Sequence, residues 1–240
     1  MIEPIRVIPW TNPGPPQLTD LGPSDRLPTK SERGAWAQAR LFNPTLHDAP
    51  TYAVSHWDAS SGTIVVARSS YLLLVAGSPP ITTLGVSGVI LQSTTQGPRV
   101  LLGRRSRNTR IYQRCWETPP RGTVPVPQGI ATTEVLTDAL RQEAREELLG
   151  CTPQWQSALA IVMDPAAHSL DIVFQAEVAP PGKPLSPNEF APGSWEYEDV
   201  LLLPLAVLLA WARGNAPPEI LGPADRLSPP TAALFASGLF

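Results

Sequence analysis

The stretch Thr133-Glu134-Val135-Leu136-Thr137-Asp138-Ala139-Leu140-Arg141-Gln142-Glu143-Ala144-Arg145-Glu146-Glu147-Leu148-Leu149-Gly150 decides how this chain is read. Leu136, Ala139, Leu140, Ala144 and Leu148 recur at three- and four-residue spacing, which predicts a helix with one apolar stripe. Glu143, Glu146 and Glu147 stand at i, i+3 and i+4, so the pattern places their carboxylates on one side, beside that stripe. Carboxylates so spaced repel one another and destabilise a bare helix. A hard divalent cation turns the repulsion into attraction, because oxygen-rich sites suit Mg²⁺ or Mn²⁺. The helix alone is equally compatible with a solvated face on which Arg141 and Arg145 pair with the glutamates.

Outward from this helix, composition sets bounds. The chain has 240 residues, enough for one large domain or a domain with a smaller appendage. A net charge of −3 gives no bulk electrostatic reason to bind nucleic acid. The 29 prolines, and a basic set that is nearly all arginine with lysine only at 30 and 183, read as compositional bias. Cys115 and Cys151 are too few for a disulfide framework and lack metal-ligand spacing, so they read as structural thiols. The first residues lack the basic-then-apolar order of a secretory signal. The most apolar stretch, 201–212, is too short to span a bilayer and contains Pro204. A cytoplasmic protein with no membrane partner is expected.

Residues 1–35 read as an extended, proline-rich arm, followed by a short helix over 35–42. Runs at 51–57, 63–67 and 71–76 predict a small three-stranded meander, and Ser78-Pro79-Pro80 a linker. A second block opens with a strand over 84–91, whose glycines imply close packing or backbone approach, and returns as a strand over 99–104. A polar loop carries Arg105 to Arg114. Further strands are expected over 158–163, 170–178 and 195–203. Helices are expected over 204–213, with Pro204 in the first turn, and over 228–237, with Ser228 as N-cap. The heptapeptide Leu21-Gly22-Pro23-Ser24-Asp25-Arg26-Leu27 recurs nearly unchanged as Leu221 to Leu227, which reads as similar turn chemistry entering a helix.

With these residues in view, the sequence resembles the Nudix hydrolase family. Glu134, a seven-residue gap, then Gln142-Glu143-Ala144-Arg145-Glu146-Glu147 keep the register of the latter part of the Nudix box. Trp116-Glu117-Thr118-Pro119-Pro120-Arg121-Gly122 looks like the family's strand-and-turn entry, and Leu101-Leu102-Gly103-Arg104-Arg105-Ser106 like the preceding strand. The resemblance covers roughly residues 84–214. The departures are specific. Gly122 lies twelve residues before Glu134 where the family has six, Gln142 replaces the box arginine with Arg141 beside it, and Gly150 comes one step late.

The resemblance implies an α/β fold, a Nudix-type α/β/α sandwich with a mixed sheet, preceded by a small β-rich N-terminal region. The corresponding division is 1–82 for arm and meander and 83–240 for the Nudix domain. It also implies a metal-dependent pyrophosphohydrolase in which water attacks one phosphorus of a nucleoside diphosphate derivative and Mg²⁺ or Mn²⁺ bridges phosphate oxygens. Carried over by position, Glu143, Glu146 and Glu147 are metal-ligand candidates, with the backbone at Gly122; Glu134 is more often structural in the family. The general base varies among branches, so a box glutamate (Glu143 or Glu146) or an acid on a later loop (Glu196 or Glu198) fits. Arg104, Arg105, Arg107, Arg110 and Arg121 are candidates for the substrate diphosphate, because guanidinium groups hold phosphate oxygens bidentately; a solvated loop is the alternative. Tyr112 and Trp116 could stack on a base, although Trp116 reads better as core, and His47, His56 and His168 are too scattered to assemble into a triad. The N-terminal β-rich region favours a nucleotide sugar, of UDP-sugar or ADP-ribose type. A Nudix-fold nucleotide-binding or regulatory module without catalysis is the alternative, and a homodimer contact through the N-terminal region is compatible with the resemblance.

Overall fold

The glycine-containing run expected to be a strand forms the centre of the sheet. The computed structural model describes residues 3–44, 46–127, 134–148, 153–178 and 196–240. In chain order the strands are β1 (Arg6–Pro9), β2 (Gln17–Pro23), β3 (Pro50–Asp58), β4 (Thr63–Ser70), β5 (Thr83–Gln92), β6 (Arg99–Arg105), β7 (Trp116–Glu117), β8 (Arg121–Thr123), β9 (Gln154–Asp164), β10 (Ser169–Glu177) and β11 (Tyr197–Pro204). The helices are α1 (Lys30–Phe42), α2 (Tyr71–Ala76), α3 (Glu134–Glu147), α4 (Leu205–Ala212) and α5 (Pro229–Ala236).

All eleven strands belong to one curled mixed sheet with the path β1-β9-β10-β5-β3-β4-β2; β8 pairs with β5, while β6 links β5, β7 and β11. β10 runs parallel to β5 from Ser169↔Thr83 to Glu177↔Leu91, and β9 and β10 form an antiparallel hairpin. Side chains alternate across this sheet, as the strand period of two requires. Leu170, Ile172 and Phe174 of β10 join Leu136, Ala139 and Leu140 of α3 on one face. Val173 joins Leu208 and Trp211 of α4 and Leu234 and Phe235 of α5 on the other. Helices therefore cover both faces, and the architecture is the expected α/β/α sandwich. The strand glycines serve close approach: a Cβ on Gly85 would lie 2.1 Å from Asp171 Oδ1, and one on Gly88 would lie 2.5 Å from the Trp155 ring.

Two local expectations are corrected. Residues 71–76 form helix α2 rather than a third meander strand. A six-residue apolar run has no periodicity to separate the two states, and the tertiary setting decides. Leu72, Leu73 and Leu74 are buried with Trp36 of α1, and Asp48 accepts from the Leu72 N–H at 2.9 Å and from Ser70 Oγ at 2.8 Å. A distant aspartate thus satisfies a first-turn amide that has no partner inside the helix. Helix α1 starts at Lys30 rather than 35, because Thr29 and Glu32 form a capping box in which Glu32 N–H donates to Thr29 Oγ1 and Thr29 N–H donates to Glu32.

Both copies of the recurrent heptapeptide lead into a helix, α1 and α5. In the second copy Asp225 accepts from Trp116 Nε1 at 3.1 Å, which anchors a tryptophan that is 3% exposed. Ser228 occupies the N-cap position of α5, but its hydroxyl donates to Thr231 Oγ1 instead of capping. Cys115 is a free thiol. Thr133, Leu149, Gly150, Cys151, Lys183 and Trp195 lie outside the described residues. Among the described residues no helix is long and apolar enough to cross a membrane.

Candidate active site

Helix α3 buries Leu136, Ala139, Leu140, Ala144 and also Glu147. Glu147 follows Ala144 by three residues and Leu140 by seven, so it falls within the apolar stripe rather than beside it. One of its oxygens accepts the Arg121 backbone N–H at 3.1 Å; the other, Oε1, is buried without a hydrogen-bond partner among the described residues. Glu143, one turn earlier, lies against the β8 backbone: a Cβ on Gly122 would sit 1.9 Å from Glu143 Oε1. A side chain at 122 would have to displace that carboxylate. Glu146 points outward and accepts from Gln142 Nε2 at 2.8 Å.

These carboxyl groups are poorly compensated. Burial, then the neighbouring Glu196 and Glu146, pushes Glu143 from 4.5 up to about 8. Burial, with Glu196 and Glu143 behind it, holds Glu147 well above the usual carboxylate range, and the Arg121 amide only partly offsets this. Burial also raises Glu196, although Arg105 opposes it. Arg141 turns away to pair with Asp138 at 2.7 Å on the exposed side of α3, so it does not take the place of the missing box arginine. Among the described residues no arginine forms a salt bridge with Glu143 or Glu147.

A second set of acids beneath the first is paired with arginines, although Glu117 Oε2, like Glu147 Oε1, is buried without a hydrogen-bond partner among the described residues. Glu117 of β7 pairs with Arg105 and accepts from the Tyr197 hydroxyl at 2.9 Å. Burial pushes Glu117 up, but Arg105 and Arg121 more than offset it and hold it below its ordinary value. Arg121 meets Asp171 at 2.7 Å, Asp164 at 3.6 Å and Glu117 at 3.7 Å. Tyr112 donates to both Asp164 oxygens, at 2.8 and 2.9 Å, which ties the polar loop after β6 to the β9–β10 turn. Arg110 donates to the Ala167 carbonyl in the same turn at 3.2 Å.

The sequence candidates therefore separate. Glu143, Glu146, Glu196, Gly122, Arg105, Arg110 and Arg121 all line one cleft of about 520 Å³. Arg105 and Arg121 face it while committed to buried carboxylates, whereas Arg110 is the exposed guanidinium in its lining. Arg104 lies outside the cleft, 3.6 Å from Glu198 and 3.3 Å from Asp225. Consecutive residues on a strand point to opposite faces, which is why Arg104 and Arg105 part. Arg107 is exposed and does not line the cleft. Glu198 sits at a register shift between Tyr197 and Asp199, and this bulge turns it from Glu196. Sequence reading missed Glu117, Asp164 and Asp171 as a network. The available signal was a lone aspartate, Asp171, inside the otherwise apolar run 170–174.

Among the described residues no three His, Cys, Asp or Glu side chains already converge on a point that would hold a metal ion. The donor chemistry nonetheless fits a hard divalent cation. Glu143, half-buried, and Glu147, buried, are oxygen donors one turn apart, Glu147 Oε1 is orphaned, and Glu196 is close enough to raise both. Orphaned buried carboxylates are costly, and a cation would relieve the cost.

No family model matches the chain, and no curated protein matches it. Solved structures do resemble it. A protein from Deinococcus radiodurans is 20% identical with a TM-score of 0.45, covering 70% of this chain and 91% of that one. A MutT protein from Methanosarcina mazei is 19% identical with a TM-score of 0.39, covering 64% and 90%. The Nudix domain of Shewanella oneidensis NrtR, solved with ADP-ribose, is 19% identical with a TM-score of 0.34, covering 52% and 75%. The chain is thus similar, at low identity and over half or more of its length, to structures described as MutT and Nudix proteins.

Proposed function

We propose that this chain is a Nudix-type pyrophosphohydrolase, dependent on Mg²⁺ or Mn²⁺, that cleaves the diphosphate of a nucleoside diphosphate derivative such as a nucleotide sugar. The observation that carries the reading is the pair Glu143, half-buried at the wall of an open cleft, and Glu147, buried one turn behind it with one oxygen unpartnered, neither of them in a salt bridge among the described residues. A structural ion pair would look like the Arg121 network beneath them, in which every acid lies within salt-bridge distance of an arginine.

Glu143 and Glu147 would hold the cation, with Glu146 and the Gly122 backbone at the cleft surface beside them. When bound, the cation supplies a lowered pKa for water and neutralisation of phosphate charge. The remaining work belongs to the chain. Arg110 binds a phosphate oxygen at the rim. Arg105 and Arg121 hold the cleft floor in place through their buried carboxylate partners. Glu196, raised by burial yet steadied by Arg105, takes the proton of the attacking water. The oxygen–phosphorus bond to water forms as the bridging phosphorus–oxygen bond breaks, and the leaving phosphate carries away that electron pair. A base with a raised pKa sits closer to neutral pH, where proton transfer is efficient.

The test is turnover of a panel of nucleoside diphosphate derivatives in Mg²⁺ by wild type and Glu147→Gln. The reading expects a loss of roughly a hundredfold or more with the fold retained, since glutamine keeps the shape of this buried side chain while removing its charge as a donor. Absence of product from every substrate with wild-type protein would overturn it. A second reading, nucleotide binding without turnover, draws on Gln142 in place of the box arginine and on carboxylates that do not yet converge. It expects nucleotide affinity that Glu147→Gln leaves unchanged.

A further inference from the structure

The cleft has a second wall that the acidic motif does not explain. Besides Glu143, Glu146 and Glu196, the cleft is lined by Asn43, Leu46 and His47 in the segment after α1, and by Tyr71 and Leu74 of α2. These side chains come from the N-terminal region. They include no carboxylate, lysine or arginine, so this part of the lining is uncharged and partly aromatic where the part from β6, β8 and α3 is charged.

This wall is held firmly. Trp36, 8% exposed, meets the Tyr71 ring edge-on with centroids 6.3 Å apart, which fixes the ring from behind. Asp48 caps α2, and Ile81 N–H donates to the Leu73 carbonyl at its other end. A preset aromatic side chain in a lining that also includes Leu46, with the mostly buried Leu74 behind, suits a flat, weakly polar ring. It is poorly suited to a bare sugar, whose hydroxyls need many polar partners. A volume of about 520 Å³ lies within the range of organic ligand sites and leaves room beyond a diphosphate.

We propose that the N-terminal wall is the nucleoside subsite, in which the base stacks on Tyr71 beside Leu46 while Asn43 and His47 meet its polar edge. The proposal rests on the diphosphate reading of the acidic end. It makes the region before β5 part of the binding site and makes the base, rather than the linked group, the portion that this wall recognises.

Calorimetric binding tests it on the full chain in Mg²⁺, with adenosine 5′-diphosphate, uridine 5′-diphosphate and inorganic pyrophosphate as probes. For Tyr71→Leu, loss of the stacking ring should weaken both nucleoside diphosphates about tenfold, with pyrophosphate affinity held within about twofold. Equal weakening of all three probes, or no change in any, overturns the subsite. Wild-type protein that binds pyrophosphate as tightly as the nucleoside diphosphates also overturns it, while leaving the diphosphate reading intact. Wild-type protein that binds none of the three removes both. If Tyr71→Leu loses its helical circular dichroism, His47→Ala on the exposed segment carries the test: selective weakening of the nucleoside diphosphates supports the subsite, and unchanged binding of all probes overturns it.

Discussion

Replacing Glu143 with glutamine should stabilise the cation-free protein at alkaline pH. Burial, with Glu196 and Glu146 nearby, places this carboxyl at about 8 in the fold instead of 4.5. The folded state therefore favours the protonated acid. Below the unfolded pKa the acid is neutral in both states and costs nothing. As pH rises from there toward the folded pKa, the unfolded chain ionises freely while the fold resists, and stability falls. At about 1.4 kcal/mol per pH unit the loss by pH 8 has a ceiling of about 4 kcal/mol, and partial contact with solvent reduces it to about 1–3 kcal/mol. Glutamine keeps the shape and removes the charge. For a chain of this length, the variant should melt about 3–10 °C above wild type at pH 8 in EDTA. The two should coincide near pH 4.5, and Mg²⁺ at pH 8 should raise the wild type more than the variant. Differential scanning calorimetry across this pH range gives the answer. A variant that melts at or below wild type at pH 8 without cation would refute the claim that this carboxylate is uncompensated.

Two further changes probe the frame. Arg121→Met leaves Asp171, Asp164 and Glu117 without their shared cation and should cost about 3–5 kcal/mol in denaturant titration; a neutral result would mean that the buried network is not paired as described. Thr29→Ala removes the capping-box acceptor of α1 and should cost about 1 kcal/mol by the same measurement, whereas an unchanged midpoint would show that α1 is held by Trp36 packing alone.

Local pattern carried much of this protein. The three- and four-residue spacing in α3 fixed which residues face the core, and the alternation in β10 fixed its two faces, because both follow from backbone geometry and need no partner. The capping box at Thr29 was equally local and could have been read from Thr29 and Glu32. Residues 71–76 could not, since only Asp48 and Trp36, supplied from elsewhere in the chain, make that apolar run helical. The site divides in the same way. Glu143, Glu146 and Glu147 were legible as a cluster. That Glu147 is buried with an orphaned oxygen, that Glu196 joins the cluster while a bulge turns Glu198 away, and that Arg105 and Arg121 are bound to buried acids were all decided by tertiary structure. Sequence spacing determines which side of an element a residue occupies; desolvation and charge pairing depend on what other elements bring against that side, and at this cleft those elements lie as far apart in the chain as His47 and Glu196.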